Sequence, residues 1–435
     1  MSDNISDTNP RFTIVIPTKD RADYLYHTLR TCSAQDYDNL VVIVSDDGST
    51  DHTKDIVMDA ASRDARIRYM KNGMAPGMRD NFEFALNQAE RGFVMALGSD
   101  DGIMPGGIAG MRNVLRDTGL ELLSWASPLF VYAGVRDPRG QLMLYHPKKD
   151  RLIESRQFLA RQAQHLNYLG DVESPMTYVK GVASTRLVRQ VQARSADGRF
   201  YRCPTPDGYS GIVLAGEVER FAFSSIPFAI YGLSPTSQGL NYLTSDEAAK
   251  KNSDSFFKSV DAVPMHRELA GQPYSPLITL MTVDYLLTAR DLPGWGGAFP
   301  PIDFKRVIVS CIAELAHGLY SEERLLREMQ ILKMVADHHG LGSYFEGTLR
   351  RSRRRKAKQP FAGSGINLRL ILLDAVDYGI CDIFDASVAA SYLQPFYANL
   401  MPRNLVKIFR RSLEYFLTSS GRGSPFPKLG REEQR

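Results

Sequence analysis

The stretch Phe12–Thr53 reads FTIVIPTKDRADYLYHTLRTCSAQDYDNLVVIVSDDGSTDHT. It opens on a short apolar run, Phe12–Ile16, that reads as a buried strand ended by Pro17. A helix is predicted from about Arg21 to Ala34. Leu40–Val44 is a β-branched run of the kind buried on both faces of a parallel sheet. Ser45-Asp46-Asp47-Gly48-Ser49 closes it, and a second helix, Asp51–Ser62, follows a turn rich in capping residues. Outward from this stretch the alternation continues with strand Arg66–Met70, helix Met78–Ala89 and strand Phe93–Leu97. Such alternation implies right-handed crossovers and a mostly parallel sheet flanked by helices, the α/β class.

Between about 120 and 235 the pattern is mixed. Strands are predicted at Leu120–Trp125, Leu129–Ala133 and near Tyr178, Phe221 and Phe228. Helices are predicted at 154–168, 184–193 and 209–216. From about 253 the signals are mainly helical, near 276–290, 303–319, 321–338, 382–399 and 403–418, with Asp291–Pro301 as a Pro/Gly breaker. A chain of 435 residues suggests two or three domains. Its 43% hydrophobic and 23% charged content excludes wholesale disorder, collagen and coiled coil. No apolar run approaches the roughly 18–20 residues of a membrane-spanning helix. Met1–Pro10 is polar and acidic, unlike a secretory signal. Cys32, Cys203, Cys311 and Cys381 form no CxxC and no metal spacing, which points to a reducing, cytoplasmic setting.

The net charge of +4 does not demand a polyanionic partner, but its distribution is uneven. From Arg350 to Lys358, seven of nine residues are basic. A solvated linker is one reading. Contact with an anionic membrane surface is another, at about 1 kcal/mol per basic residue. Nucleic acid ranks below both, since no aromatic-interleaved basic motif or helix-turn-helix pattern accompanies the run.

Ligands of open α/β sheets bind outside the carboxyl ends of the strands. Three polar clusters fall there: Pro17-Thr18-Lys19-Asp20-Arg21, Ser45–Asp51 and Gly98-Ser99-Asp100-Asp101. One Asp-Asp-Gly turn is ordinary turn chemistry. Two carboxylate-rich clusters at the ends of successive buried strands repel one another unless a cation lies between them. Mg²⁺ and Mn²⁺ prefer such oxygens and often bridge to substrate phosphates. No GxGxxG or Walker A loop follows the first strand.

The Phe12–Thr53 block, with IPT, Gln35 and SDDGSTD in order, resembles the start of family 2 glycosyltransferases with the Rossmann-like GT-A fold. The resemblance continues through Gly77–Asn81 and Gly92–Asp101 and extends more weakly to about residue 238. The GSDD segment is most similar to bacterial O-antigen-type transferases, including the abequosyltransferase-like group. The resemblance implies a catalytic domain over about 10–238. A helical C-terminal domain over about 250–420 is then expected to serve acceptor, membrane or oligomer contacts. It implies sugar transfer from a nucleotide-diphosphate donor to a glycan or lipid-linked acceptor in polysaccharide biosynthesis, usually with inversion. The setting it implies is the inner face of the cell membrane, bound peripherally. A noncatalytic nucleotide-sugar-binding or scaffold protein is the alternative.

Carried over by position, the resemblance places Pro17, Thr18 and Arg21 at the border of the nucleotide. Asp47 would accept a hydrogen bond from the base, with Asp46 supporting the loop. Arg79 and Asn81 would lie near the base or diphosphate. Ser99 and Asp100 would face the donor, and Asp100, with Asp101 beside it, would ligate the divalent metal, Mn²⁺ or Mg²⁺. Gly98 departs from the pattern, since relatives commonly carry the first Asp of DxD there. An inverting transferase needs a carboxylate base for the acceptor hydroxyl. Asp207, ahead of a helix, matches that position, and a plain helix N-cap is its other reading. Glu217 and Glu219 compete for the role, with Asp171 and Glu173 behind them. Relatives often carry a His near Tyr231–Ser237; here a Tyr or Ser hydroxyl is the substitute, or the segment is simply a loop leaving the domain. His338-His339 reads as a helix C-terminus.

Overall fold

The computed structural model describes residues 9–73, 77–135, 139–145, 149–237, 263–316, 320–352, 365–366 and 370–398. The first part alternates β1 (Phe12–Thr18), α1 (Ala22–Ser33), β2 (Leu40–Asp46), α2 (Thr53–Arg63), β3 (Ile67–Lys71), α3 (Met78–Leu86) and β4 (Phe93–Ala96). Then come β5 (Gly102–Ile103), α4 (Gly107–Thr118), β6 (Leu122–Trp125), β7 (Leu129–Val131), β8 (Gln141–Tyr145), β9 (Arg151–Glu154) and α5 (Ser155–His165). β10 (Gly181–Ser184), α6 (Thr185–Arg194), α7 (Asp207–Ala215), β11 (Arg220–Ser224) and β12 (Ala229–Leu233) follow.

The main sheet has the order β3-β2-β1-β4-β10-β6-β11-β9. It is parallel from β3 to β4, antiparallel on both sides of β10, and antiparallel at the β9 edge. Alternate residues of the central strands serve opposite faces, as a period of two requires. Val15, Val41 and Ile43 pack with Phe82 and Leu86 of α3, while Ile14, Ile16, Val42 and Val44 pack with Leu25, Leu29 and Val57 of α1 and α2.

Pro17 does not end the first strand: β1 runs on to Thr18, which pairs with Asp46. Val15 O accepts from Leu97 N, so alternate residues, Pro17 among them, face β4. The β1–β4 pairing stops at Val15, so the missing N–H of Pro17 leaves no ladder bond unmade. Helix α7 likewise starts two residues before the sequence pattern suggests, with Asp207 as its first residue.

Strands β8 and β9 were not legible in the sequence. β8 belongs to a second sheet, β13-β14-β8-β7-β12-β5, whose β13 (Gly365–Ile366) and β14 (Leu370–Asp374) come from the C-terminal part. There the helices Phe304–Leu315, Glu322–His338 and Gly342–Arg351 share a core with one face of the helix Ile278–Arg290. After β14 the chain returns to the N-terminal half. Asp382 accepts from the N–H groups of Phe384 at 2.7 Å and Asp385 at 3.0 Å, opening the helix Ile383–Ala398. Its other oxygen meets His27 Nδ1 of α1 at 2.7 Å. Among the described residues no helix is long and apolar enough to cross a membrane. The expected helix at 403–418 and residues 353–358 of the basic run lie outside the described residues, while Arg350 and Arg351 are exposed.

Candidate active site

The carboxyl ends of β1 and β2 are tied together before any ligand is considered. Asp47 N donates to Thr18 O at 2.9 Å. Asp46 is fully engaged, accepting from Ser49 N at 2.8 Å and Tyr69 Oη at 2.7 Å, so it shapes the loop. Asp47 is buried yet lightly bonded: Lys19 Nζ stands 3.7 Å from Oδ2 and Gly77 N donates to Oδ1 at 3.4 Å. Burial raises its carboxyl above the usual range, against the pull of Lys19. That is a carboxylate ready to take a stronger donor.

Two of the expected nucleotide neighbours are committed elsewhere. Asn81 is buried, its Oδ1 accepting from Ser45 Oγ at 2.6 Å and its Nδ2 donating to Ser45 O at 2.9 Å. It locks α3 to β2 and positions the Asp46-Asp47 turn. Arg21 reaches across to the segment after β12, donating to Thr236 Oγ1, Thr236 O and Ser234 Oγ. Arg79, in the first turn of α3, pairs with Asp80 at 2.9 Å.

The turn Gly98–Asp101 follows β4. Ser99 Oγ donates to Thr18 Oγ1 at 2.8 Å, and Thr28 Oγ1 of α1 lies 2.7 Å from the carbonyls of both Ser99 and Asp101. The hydrogen bonds of the Asp100 carboxylate fall on Oδ2, from Ser234 Oγ at 2.6 Å, Ser237 Oγ at 3.2 Å and Ser234 N at 3.3 Å. Oδ1 is therefore the oxygen this turn offers to a cation. Asp101 is different. It is fully buried, and its two oxygens accept from Gly98 N at 2.6 Å and Gly232 N at 2.8 Å. Burial, with Asp100 beside it, pushes its carboxyl well up. The expected ligand role for Asp101 would break these bonds, so it holds the turn instead. Gly98 is explained by the same packing: a Cβ there would lie 2.5 Å from Tyr178 Oη and 2.7 Å from Asp101 Oδ2. Among the described residues no three His, Cys, Asp or Glu side chains gather to hold a metal by themselves. Among the carboxylates of this turn the donor set would fit a cation only through one Asp100 oxygen, and a cation held there would need its other ligands from outside the protein.

Asp207 stands at the first position of α7. The cap residue is Pro206, and no side chain caps this helix, so the simple N-cap reading does not hold. Burial pushes the Asp207 carboxyl up to about 6. Its charge is felt by Tyr168, Tyr178, Tyr201, Tyr231 and Tyr285. The α7 N-terminus is packed tightly: at Gly208 a Cβ would meet the Tyr168 ring at 2.3 Å and the Tyr285 ring at 2.6 Å. The competitors are occupied or outside. Glu217 is bonded twice to Arg194, at 2.7 and 2.9 Å, and once to Gln190, while Glu219 is exposed. Asp171 and Glu173 pair with Arg161. They line a cavity of about 590 Å³ together with His165 and Asn167, and none of the carboxyl-end residues of β1, β2 or β4 lines it.

Sequence reasoning missed Tyr178 and named Ser234 and Ser237 only as part of a segment. No motif flags them, because their role follows from which strand ends β10 and β12 are brought beside.

Residues 13–170 match the family model described as Glycosyl transferase family 2. Over 101 residues the chain is 34% identical to the GalNAc(5)-diNAcBac-PP-undecaprenol beta-1,3-glucosyltransferase of Campylobacter jejuni, covering 23% of this chain and 33% of that protein. Over 88 residues it is 34% identical to the UDP-Glc:alpha-D-GlcNAc-diphosphoundecaprenol beta-1,3-glucosyltransferase WfaP of Escherichia coli, covering 20% and 34%. The chain so spans about a third of the length of these curated relatives. A solved structure of S. aureus TarS 1-349 in complex with UDP-GlcNAc is similar at 15% identity, covering 78% of this chain and 89% of that one, with a TM-score of 0.42.

Proposed function

We propose, for a chain whose residues 13–170 carry a glycosyl transferase family 2 domain, that the protein moves a sugar from a nucleotide-diphosphate donor to a hydroxyl of a bacterial polysaccharide or lipid-linked glycan, with inversion. The observation that carries this is Asp207. It is a carboxylate that burial pushes up to about 6, at the first position of α7, and among the described residues no ion pair holds it as Arg194 holds Glu217 and Arg161 holds Asp171 and Glu173. A base near the working pH is what an acceptor hydroxyl requires. A noncatalytic nucleotide-sugar-binding protein would have no need of such a group.

In this reading Asp47 accepts a hydrogen bond from the nucleobase and Lys19 borders the diphosphate, while Arg21 holds the segment after β12 against the site. Asp207 takes the proton of the acceptor hydroxyl while that oxygen attacks the anomeric carbon from the face opposite the departing diphosphate. A divalent cation, Mn²⁺ or Mg²⁺, when bound, supplies charge neutralisation for that leaving group, and Asp100 Oδ1 would hold it. The names of the two relatives specify undecaprenol-linked acceptors, which supports a lipid-linked one here. The Arg350–Lys358 run supports peripheral attachment at the inner membrane face, and the GSDD segment supports the abequosyltransferase-like placement.

Thermal-shift measurement with UDP, GDP and dTDP and their sugars, with and without Mn²⁺, tests the donor site. A ligand at 100 times its dissociation constant stabilises by about 2.7 kcal/mol. No shift with any of them would reject the reading.

A further inference from the structure

Two half-buried tyrosines, Tyr178 and Tyr231, adjoin the donor-side turn, and the segment of Tyr178 continues to the proposed base: Thr177 N donates to Ser210 Oγ at 3.2 Å, and that hydroxyl donates to Asp207 O at 2.7 Å. Tyr178 puts its hydroxyl in the volume that Gly98 leaves open, on the side of the turn where Asp101 Oδ2 also lies. Tyr231 lies beside it, ring centroids 5.9 Å apart, and its hydroxyl donates to Tyr178 O at 3.2 Å. Tyr231 is followed by Gly232, whose N–H holds the other Asp101 oxygen. Each of the two tyrosines senses both Asp101 and Asp207. Tyr168, Tyr201 and Tyr285 also sense Asp207 but are buried, so they are backing and not lining.

The backbone holds Tyr178 in place at a cost. Val179 has φ 60°, a conformation rare for a β-branched residue. Lys180 N donates to Tyr178 O at 2.7 Å, so residues 178–180 form a γ-turn of the strained, positive-φ kind. Such strain persists where the surroundings over-determine it, commonly at functional sites. On either side of Tyr178, Ala96 N donates to Thr177 O at 2.8 Å and Val179 N to Ala96 O at 2.9 Å, pinning the turn to the end of β4. Phe82 backs the Tyr178 ring at 6.1 Å.

We infer that Tyr178 and Tyr231 form the wall against which the transferred sugar lies, and that Tyr178 is a specificity-determining residue for that sugar. The inference rests on the glycosyl-transfer reading above. In an inverting transfer the sugar must sit between the leaving diphosphate and the base, and the segment that carries Tyr178 runs from the one side to the other, from the Gly98 turn to the first turn of α7. Aromatic faces cover the apolar side of a ligand while a few fixed polar groups set its orientation. The Tyr178 hydroxyl at the Gly98 turn is a polar group of this kind, able to exchange a hydrogen bond with one sugar hydroxyl. A site built to bond a hydroxyl discriminates against substrates that lack it or misplace it. No side chain at position 98 could coexist with this arrangement, which accounts for the glycine.

The test is calorimetric binding of bare UDP, GDP and dTDP and of UDP-glucose, UDP-galactose, UDP-N-acetylglucosamine, GDP-mannose and dTDP-glucose to the parent, Tyr178→Phe and Tyr178→Ala. The parent should bind one sugar nucleotide more tightly than its bare diphosphate. Tyr178→Ala should weaken that sugar nucleotide about tenfold, the worth of about one hydrogen bond or more, and leave the bare diphosphate unchanged. Tyr178→Phe, which keeps the ring and the fold, should narrow the preference among sugars on one nucleotide. Equal losses for bare and sugar-bearing nucleotides, or no change in either variant, would overturn the wall. A parent that binds no nucleoside diphosphate would instead overturn the transferase reading, and the wall with it.

Discussion

Gly98 N donates to Asp101 Oδ2 at 2.6 Å, and a Cβ on Gly98 would stand 2.7 Å from that same oxygen. The two residues are a matched pair: the acid caps the turn because the glycine leaves room for it. Restoring an aspartate at position 98 should therefore damage the turn and should not build a better metal site. Gly98→Asp is expected to lose about 1–3 kcal/mol by overpacking, with no gain in Mn²⁺ affinity. Urea unfolding and Mn²⁺ titration monitored by electron paramagnetic resonance check both points. A stable variant that binds Mn²⁺ more tightly would contradict the pairing.

Asp100 and Asp101 should separate cleanly. Asp101→Ala leaves two backbone N–H groups unpaired in a buried turn, at about 1–3 kcal/mol each. Asp100→Ala removes an acceptor for two serine hydroxyls that keep other partners, Ser234 N donating to Ser237 Oγ and Ser234 Oγ lying 3.2 Å from Thr236 Oγ1, and should be milder in urea. The order reverses for the cation: Asp100→Ala should abolish any Mn²⁺ enhancement of nucleotide binding. Unimpaired enhancement in folded Asp100→Ala would remove Asp100 from the metal.

Asp47→Ala should weaken binding of the preferred nucleoside diphosphate by roughly 1.5–3 kcal/mol, the value of a hydrogen bond to a charged acceptor. Its present contacts, 3.4 Å to Gly77 N and 3.7 Å to Lys19, are long, so the fold should tolerate the change. Calorimetry with UDP, GDP and dTDP reads the loss directly.

Asp207→Asn keeps the shape of the side chain and removes the proton acceptor. Transfer should fall by about 10²–10⁴-fold with donor affinity unchanged. In the parent, the rate should rise with pH through about 6, as the carboxyl loses its proton. The stability effect has the opposite direction. A carboxyl whose folded pKa lies above its ordinary value of about 3.9 favours folding most below that value. That contribution is lost as pH rises through about 6, so parent stability should decline relative to Asp207→Asn over this window. Turnover of the variant close to the parent's, in a folded protein, would move the base elsewhere.

The sequence by itself determined the parallel half of the fold and the places where polar residues gather. Periodicity and strand-end chemistry are local: Phe12–Ile16, Leu40–Val44 and Phe93–Leu97 read as buried strands because their neighbours in sequence say so. The turns after them follow from the residues they contain. What the tertiary structure decided is which carboxylates are free. Asp101 and Asp100 are adjacent in the chain and look alike there. One is buried against Gly232 N, and the other is grasped by Ser234, 134 positions away. Glu217 and Asp207 are rival candidates in the sequence, and the Arg194 guanidinium on Glu217 separates them. The return of β14 to β8 and of Asp382 to His27 was equally illegible, since short strands and single ion pairs leave no periodic trace. Hydrogen-bond partners and burial are set by long-range packing, and those two quantities separate a structural acid from a chemical one.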